Sequence, residues 1–195
     1  MGAGLPMRED TTPLFPLKTV LFPGGVLPLR IFEPRYVDMI GRCMKEPQKF
    51  GVLLIVEGSE TGAARTVDVG TLAEIVDWHQ DTDGLLGIVA LGRERFRLER
   101  SSRRPDGLYV GSIEPLPAEE RQPLPERHRY LAKLLKQVLP RLGPYAQHLD
   151  EDYTDATWVG YRLAEVLPLT LRVRQECLEM DDPLARLDRL SASLN

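Results

Sequence analysis

From residue 13 onward, short apolar runs are broken by proline and glycine, and helical spacing sets in only later. Residues 13–31 hold Leu14, Phe15, Leu17, Val20, Leu21, Phe22, Val26, Leu27, Leu29 and Ile31, interrupted by Pro16, Pro23 and Pro28. Each proline removes a backbone donor, so these segments are predicted as strands at sheet edges or joined by bends. Pro23-Gly24-Gly25 is a turn signal. Pro34, after Glu33, suits a first helical position, where the missing N–H costs no bond. Tyr36, Met39, Ile40, Cys43 and Met44 then recur at helical spacing and give one apolar face, ended by Pro47.

Strand signals follow. The nearly continuous apolar run at 50–56 predicts a buried strand, and 58–65 a polar loop. Residues 70–79 carry Leu72, Ile75 and Val76, and the chain returns over 85–91 through Asp81-Thr82-Asp83-Gly84, where Gly84 can take positive φ. Over 93–100, Phe96 and Leu98 share one face, while Arg93, Arg95 and Arg97 share another that is predicted to be solvated. Asp106-Gly107 is a turn before a last strand at 108–116, with Tyr109 and Ile113 as core candidates. Several short, turn-separated strands with one helix argue for a barrel-like or folded sheet.

The pattern changes after Pro115-Leu116-Pro117. Residues 117–126, rich in proline and charge, read as a linker. Beyond it, Leu131, Leu134, Leu135 and Val138 share a helical face stopped by Pro140. Trp158, Val159, Leu163, Val166 and Leu167 line a helix over 155–167, broken by Pro168. Thr170 is a cap for a helix to about Met180, and Asp182-Pro183 a cap and first-turn pair for a last helix lined by Leu184, Leu187 and Leu190. The division is therefore a flexible N-terminus (1–12), a β-rich part (13–118) and an α-helical part (119–195), of α+β class.

Composition narrows the function. The chain of 195 residues is 43% hydrophobic and 28% charged, which is enough for a buried core and ordinary for a globular protein. A net charge of −4 argues against a dedicated nucleic-acid binder, which needs a concentrated positive face. Cys43 and Cys177 have no cysteine or histidine at metal-ligand spacing and read as buried free thiols. No segment approaches the ~20 apolar residues of a membrane span, and the first residues lack a signal peptide's apolar run. A cytoplasmic location without membrane contact is expected.

Candidate chemistry is sparse. Lys18, Lys45, Lys49, Lys133 and Lys136 never follow glycine, so the chain has no phosphate loop, and no cofactor is expected. His79, His128 and His148 are dispersed without a nucleophile elbow, so neither catalysis nor a metal site is expected. Asp150, Glu151, Asp152 and Asp155 read as solvation and helix-dipole complement. Trp78, beside the hairpin loop, is either an exposed peptide anchor or packed under the loop. Arg93, Arg95, Arg97, Arg100, Arg103 and Arg104 form either a groove for acidic protein or RNA, or a solvated strand face tempered by Glu94 and Glu99. Arg35 either meets a partner or pairs with Glu33 while Tyr36 packs inward.

Three segments carry a family resemblance. They are Phe22-Pro23-Gly24 with Leu27-Pro28-Leu29 and Ile31 to Tyr36; Gly70 to Ile75 with Gly92 to Leu98; and Ala164 to Leu169 with Gln175 to Glu179 and Pro183 to Leu187. Together they resemble the N-terminal substrate-binding domain of Lon proteases, and Ile31 to Tyr36 looks most like its stand-alone bacterial branch. The resemblance implies a PUA-like pseudo-β-barrel followed by a helical bundle, of the type also found in cereblon. It implies a non-enzymatic module that recognises protein or peptide, without the ATPase or protease of the full-length enzyme. A PUA-like fold also allows an RNA-binding module as the alternative. The candidate partner-binding residues are Arg35, Tyr36, Trp78, Arg93, Arg95 and Arg97.

Overall fold

The computed structural model describes residues 11–194. Most of the expected loose N-terminal segment lies outside the described residues, but Thr12 already opens the first strand. Among the described residues the order is β1 (Thr12–Leu17), β2 (Val26–Ile31), α1 (Pro34–Lys45), β3 (Phe50–Gly58), β4 (Ala64–Thr66), β5 (Val69–Gln80), β6 (Leu86–Arg103) and β7 (Tyr109–Pro115). The helices α2 (Arg129–Val138), α3 (Ala156–Val166), α4 (Leu171–Glu179) and α5 (Pro183–Ala192) follow, with 3-10 turns at Glu126–His128 and Leu139–His148.

The strands close on themselves. β1 runs parallel to β3 and antiparallel to β7, β7 pairs with β6, β6 with β5, and β5 with β3. This five-strand circuit is the observed form of the expected barrel. β2 is added on β6 and β4 on β3. Pro28 lies in β2, which pairs on one side only, as a proline-bearing strand requires. Pro16 lies past Leu14, where the β1–β7 pairing has ended and only β3 remains alongside.

Two strand expectations are corrected here: the polar loop expected over 58–65 runs into a strand, β4, that pairs with β3. The stretches at 85–91 and 93–100 are a single strand, β6, of 18 residues. Register shifts between Thr71 and Ala73, between Ile75 and Asp77, and between Leu98 and Arg100 mark bulges, and these bend the paired strands so that β6 serves both ends of the barrel. Gly92 at its middle touches the chain entering β2: a Cβ there would stand 2.1 Å from the Phe22 carbonyl oxygen.

Helix α1 lays Tyr36, Met39, Ile40 and Cys43 against Phe15, Ile31, Phe50 and Ile88. Met44, expected on that face, is instead exposed. A second core joins the helices to the barrel: Leu131, Leu135, Val159, Leu163, Leu178 and Leu187 pack with Phe22 and Leu54. Thr170 and Asp182 accept hydrogen bonds from first-turn amides of α4 and α5, as their positions predicted, and Asp155, read as solvation and dipole complement, does the same for α3. The expected linker is no free tether. The Leu116 amide donates to the Arg95 carbonyl, Leu124 to Thr154, and Ala156 to the Gln122 carbonyl, so this segment is tied to both halves. Its prolines cannot donate, but the residues between them find partners.

Candidate functional site

The six candidate residues do not form one surface. Arg35 and Tyr36 are buried where α1 meets the barrel. Tyr36 stacks on Phe15 at 3.9 Å with an interplanar angle of 5°. The Arg35 guanidinium lies 4.7 Å over the Tyr36 ring and donates to Glu33, to the Gly107 carbonyl and to the Glu60 carbonyl. One side chain thus holds three chain segments together. Burial pushes the Tyr36 hydroxyl up to about 12, against the opposing pull of Arg35.

The arginine face predicted to be solvated divides. Phe96 is fully buried in the barrel, and Arg95, pointing the other way, is buried as well. Its guanidinium donates to the Leu178 carbonyl and to Asp181 at 2.9 Å, between α4 and α5. The helices cover what a barrel strand alone would leave wet, so the solvated reading fails at Arg95. Arg93 pairs with Glu74 at 2.6 Å, and Arg97 is exposed. The run from Arg93 to Arg104 is therefore split between ion pairs, a buried strut and solvent, and it makes no continuous basic groove.

Sequence reasoning missed the network beneath Arg95. Glu119, in the segment read as linker, is almost completely buried and is gripped by both terminal nitrogens of Arg186, with Arg95 3.8 Å away. Tyr161 donates its hydroxyl to the same carboxylate, and burial raises the Tyr161 hydroxyl first of all, with the Glu119 bond adding to it. Nothing in the local pattern singled out Glu119 among its charged neighbours. A cleft of ≈ 340 Å³ opens beside this network, between Pro23, Arg93, Pro117, Trp158 and Tyr161.

The turn that carries much of the resemblance also sits at this junction. Arg162 on α3 donates to the Pro23 carbonyl at 2.8 Å and pairs with Glu165 at 2.7 Å. Gly24 has φ 71°, and a Cβ on Gly25 would stand 1.9 Å from the Glu165 carboxylate. The Pro-Gly-Gly turn is where helix and barrel approach too closely for side chains.

Trp78 faces solvent like Arg97, and it is the apolar one of the two. The reading that packed it under the loop fails: it is 58% exposed. It lies on one wall of a groove of ≈ 520 Å³, formed with Glu74, Val76 and Asp77 of β5 and with Met44, Pro47 and Lys49 opposite. Met44 and Val76 are also exposed there, at 42% and 39%. Lys49 is paired with Glu94 and Glu74 with Arg93. Of the acidic cluster, Asp152 is held down to about 2, first by the hydrogen bond from Arg121, and Asp155 caps α3. Among the described residues no three histidine, cysteine, aspartate or glutamate side chains come together as a cation site, and no helix is long and apolar enough to cross a membrane.

The structure is a closed barrel with α-helices docked on it, an exposed apolar groove and buried charges that tie its elements together. Residues 11–195 match the family model described as the ATP-dependent protease La (LON) substrate-binding domain, and the chain belongs to that family. A solved structure, the Lon N-terminal domain protein from Xanthomonas campestris, is 37% identical, with a TM-score of 0.78 over 93% of this chain and 97% of that one. Lon protease 2 from Myxococcus xanthus is 28% identical over 98% of this chain but only 24% of its own length. Cereblon from Danio rerio is 32% identical over 66% of this chain and 29% of its own. The chain thus spans about a quarter of the length of the curated relatives it matches.

Proposed function

We propose that this domain binds exposed segments of polypeptide and carries out no reaction itself. What supports the reading is the groove at Trp78: three large apolar side chains, Met44, Val76 and Trp78, stand exposed together on a domain of the LON substrate-binding family. Scattered exposed apolar residues need no explanation, but a cluster lining one groove does. The same reading takes the barrel as PUA-like, places the boundary to a helical bundle near residue 118, and sets the domain in the cytoplasm. RNA binding is not favoured, because the arginine run is broken up by Glu74, Asp181 and burial.

The test is fluorescence anisotropy of fluorescein-labelled, reduced and carboxymethylated α-lactalbumin titrated with the 195-residue chain. Saturable binding of this permanently unfolded protein, absent with the native form, is expected. No binding, or binding only to poly(U) at low salt, overturns the reading.

A further inference from the structure

The groove has a second property besides apolarity: its β5 wall is an open sheet edge. β3 pairs with β5 only over Thr71–Ala73, while β5 continues to Gln80 against β6 alone. The Asp81 amide donates to the Leu85 carbonyl, so at Asp81, and two residues back at His79, the main chain faces β6. Successive residues of a strand turn their main-chain groups to opposite sides. Trp78 and Gln80 therefore turn their N–H and C=O groups away from β6, where no strand lies among the described residues.

One of these groups is already covered. The Trp78 amide donates to the carboxylate of its neighbour Asp77 at 2.8 Å. A charged side chain folded over an edge donor is a common guard against unwanted strand pairing. Asp77 has no basic partner among the described residues, whereas the other charged groove residues, Lys49 and Glu74, are paired with Glu94 and Arg93. The uncompensated charge of the groove is thus negative and lies on the open edge, beside Val76 and Trp78.

We propose that the Trp78–Gln80 edge of β5 takes an extended polypeptide segment as an added strand. The segment alternates apolar and basic residues. Its carbonyl displaces the Asp77 carboxylate from the Trp78 amide, its apolar side chains enter the groove over Val76, Trp78 and Met44, and a basic side chain meets the freed Asp77. Main-chain pairing supplies affinity with little demand on sequence, and the pockets for alternate side chains supply the preference. This rests on the polypeptide-binding reading above and names where and how the segment is held.

The probe is a fluorescein-labelled seven-residue peptide of alternating lysine and valine, compared with the same peptide N-methylated at its three central amides. Binding at least tenfold weaker for the methylated peptide is expected. Amide hydrogen exchange at Trp78 and Gln80 should slow at least tenfold when the unmethylated peptide is present. Gln80→Pro, which deletes an outward-facing donor at the edge, should weaken the probe while circular dichroism stays unchanged; Trp78→Ala should do the same through the groove. Equal binding of both peptides, or no protection at these two amides, overturns the edge but leaves the polypeptide reading standing, as does binding of unfolded lactalbumin without the probe. Protection of the same amides in the protein alone, with a dimer in sedimentation, assigns the edge to a second copy and also overturns the proposal. Failure of both lactalbumin and probe to bind removes the polypeptide reading itself.

Discussion

Tyr161 on α3 donates its hydroxyl to Glu119, a residue of the segment that joins the barrel to the helices. Arg186 from α5 holds the other side of that carboxylate, with an Nη1–Oε2 distance of 2.9 Å, and Arg95 from β6 stands 3.8 Å off. Four elements meet at one buried acid. Removing a single partner from such a cluster leaves charge buried without compensation.

Glu119→Ala should therefore cost about 3–5 kcal/mol, far more than a typical surface change. Urea unfolding followed by circular dichroism measures it. A loss below about 1 kcal/mol would show that the cluster is solvated in solution.

Gly25→Ala tests the close approach of the turn to α3. The added methyl meets the Glu165 carboxylate and the Phe22 carbonyl, so the Arg162–Glu165 pair or the turn must shift. A loss of about 1–3 kcal/mol is expected, read as a lower thermal midpoint. An unchanged midpoint would mean that Glu165 moves aside freely.

The Tyr36 hydroxyl titrates near 12 in the fold, against 10.0 for an ordinary tyrosine. Its folded value is raised, so its contribution to stability is complete below about pH 10 and is lost as pH rises through 12. Tyr36→Phe keeps the stack on Phe15 and should leave stability at neutral pH within about 0.5 kcal/mol. Between pH 10 and 12 the variant should lose less stability than the parent; Tyr161, Tyr153 and the Cys43 and Cys177 thiols, all raised by burial, still contribute to the alkaline loss. Denaturant midpoints across that range check it, and parallel curves for parent and variant would contradict it.

Trp78→Ala separates binding from folding. A side chain this exposed contributes little to stability, so the unfolding midpoint should move by less than about 0.5 kcal/mol. The variant should bind unfolded lactalbumin about tenfold or more weakly, as expected of an aromatic anchor. Iodide should quench the parent's fluorescence strongly and the variant's weakly, because Trp158 is the only tryptophan left and it packs against Tyr153.

Much of the fold was legible because its signals are local. Thr170 and Asp182 mark helix starts through bonds that span only two or three residues. Gly84 and Gly107 mark hairpin turns, with φ of 84° and 88°. The pairing of Arg35 with Glu33 was visible for the same reason, since two residues separate them. The candidate site was legible only at Trp78. Met44 looked like a core residue, because periodicity reports that a face is apolar and not whether another element covers it. Arg95 looked wet, because the α4–α5 turn that buries it lies more than eighty residues away in sequence.

By itself, the order of apolar, proline and glycine positions determined the α+β class and most of the strands and helices, because these depend on short-range backbone preferences, while the family resemblance was carried by particular motifs such as Phe22-Pro23-Gly24 and Ile31 to Tyr36. Tertiary structure alone decided that Glu119 is a buried keystone and not part of a tether, that Arg95 is a strut, and that β3 stops short of Gln80 and leaves an open edge beside Trp78. Those outcomes follow from which distant surfaces exclude water from one another, and no local pattern records that.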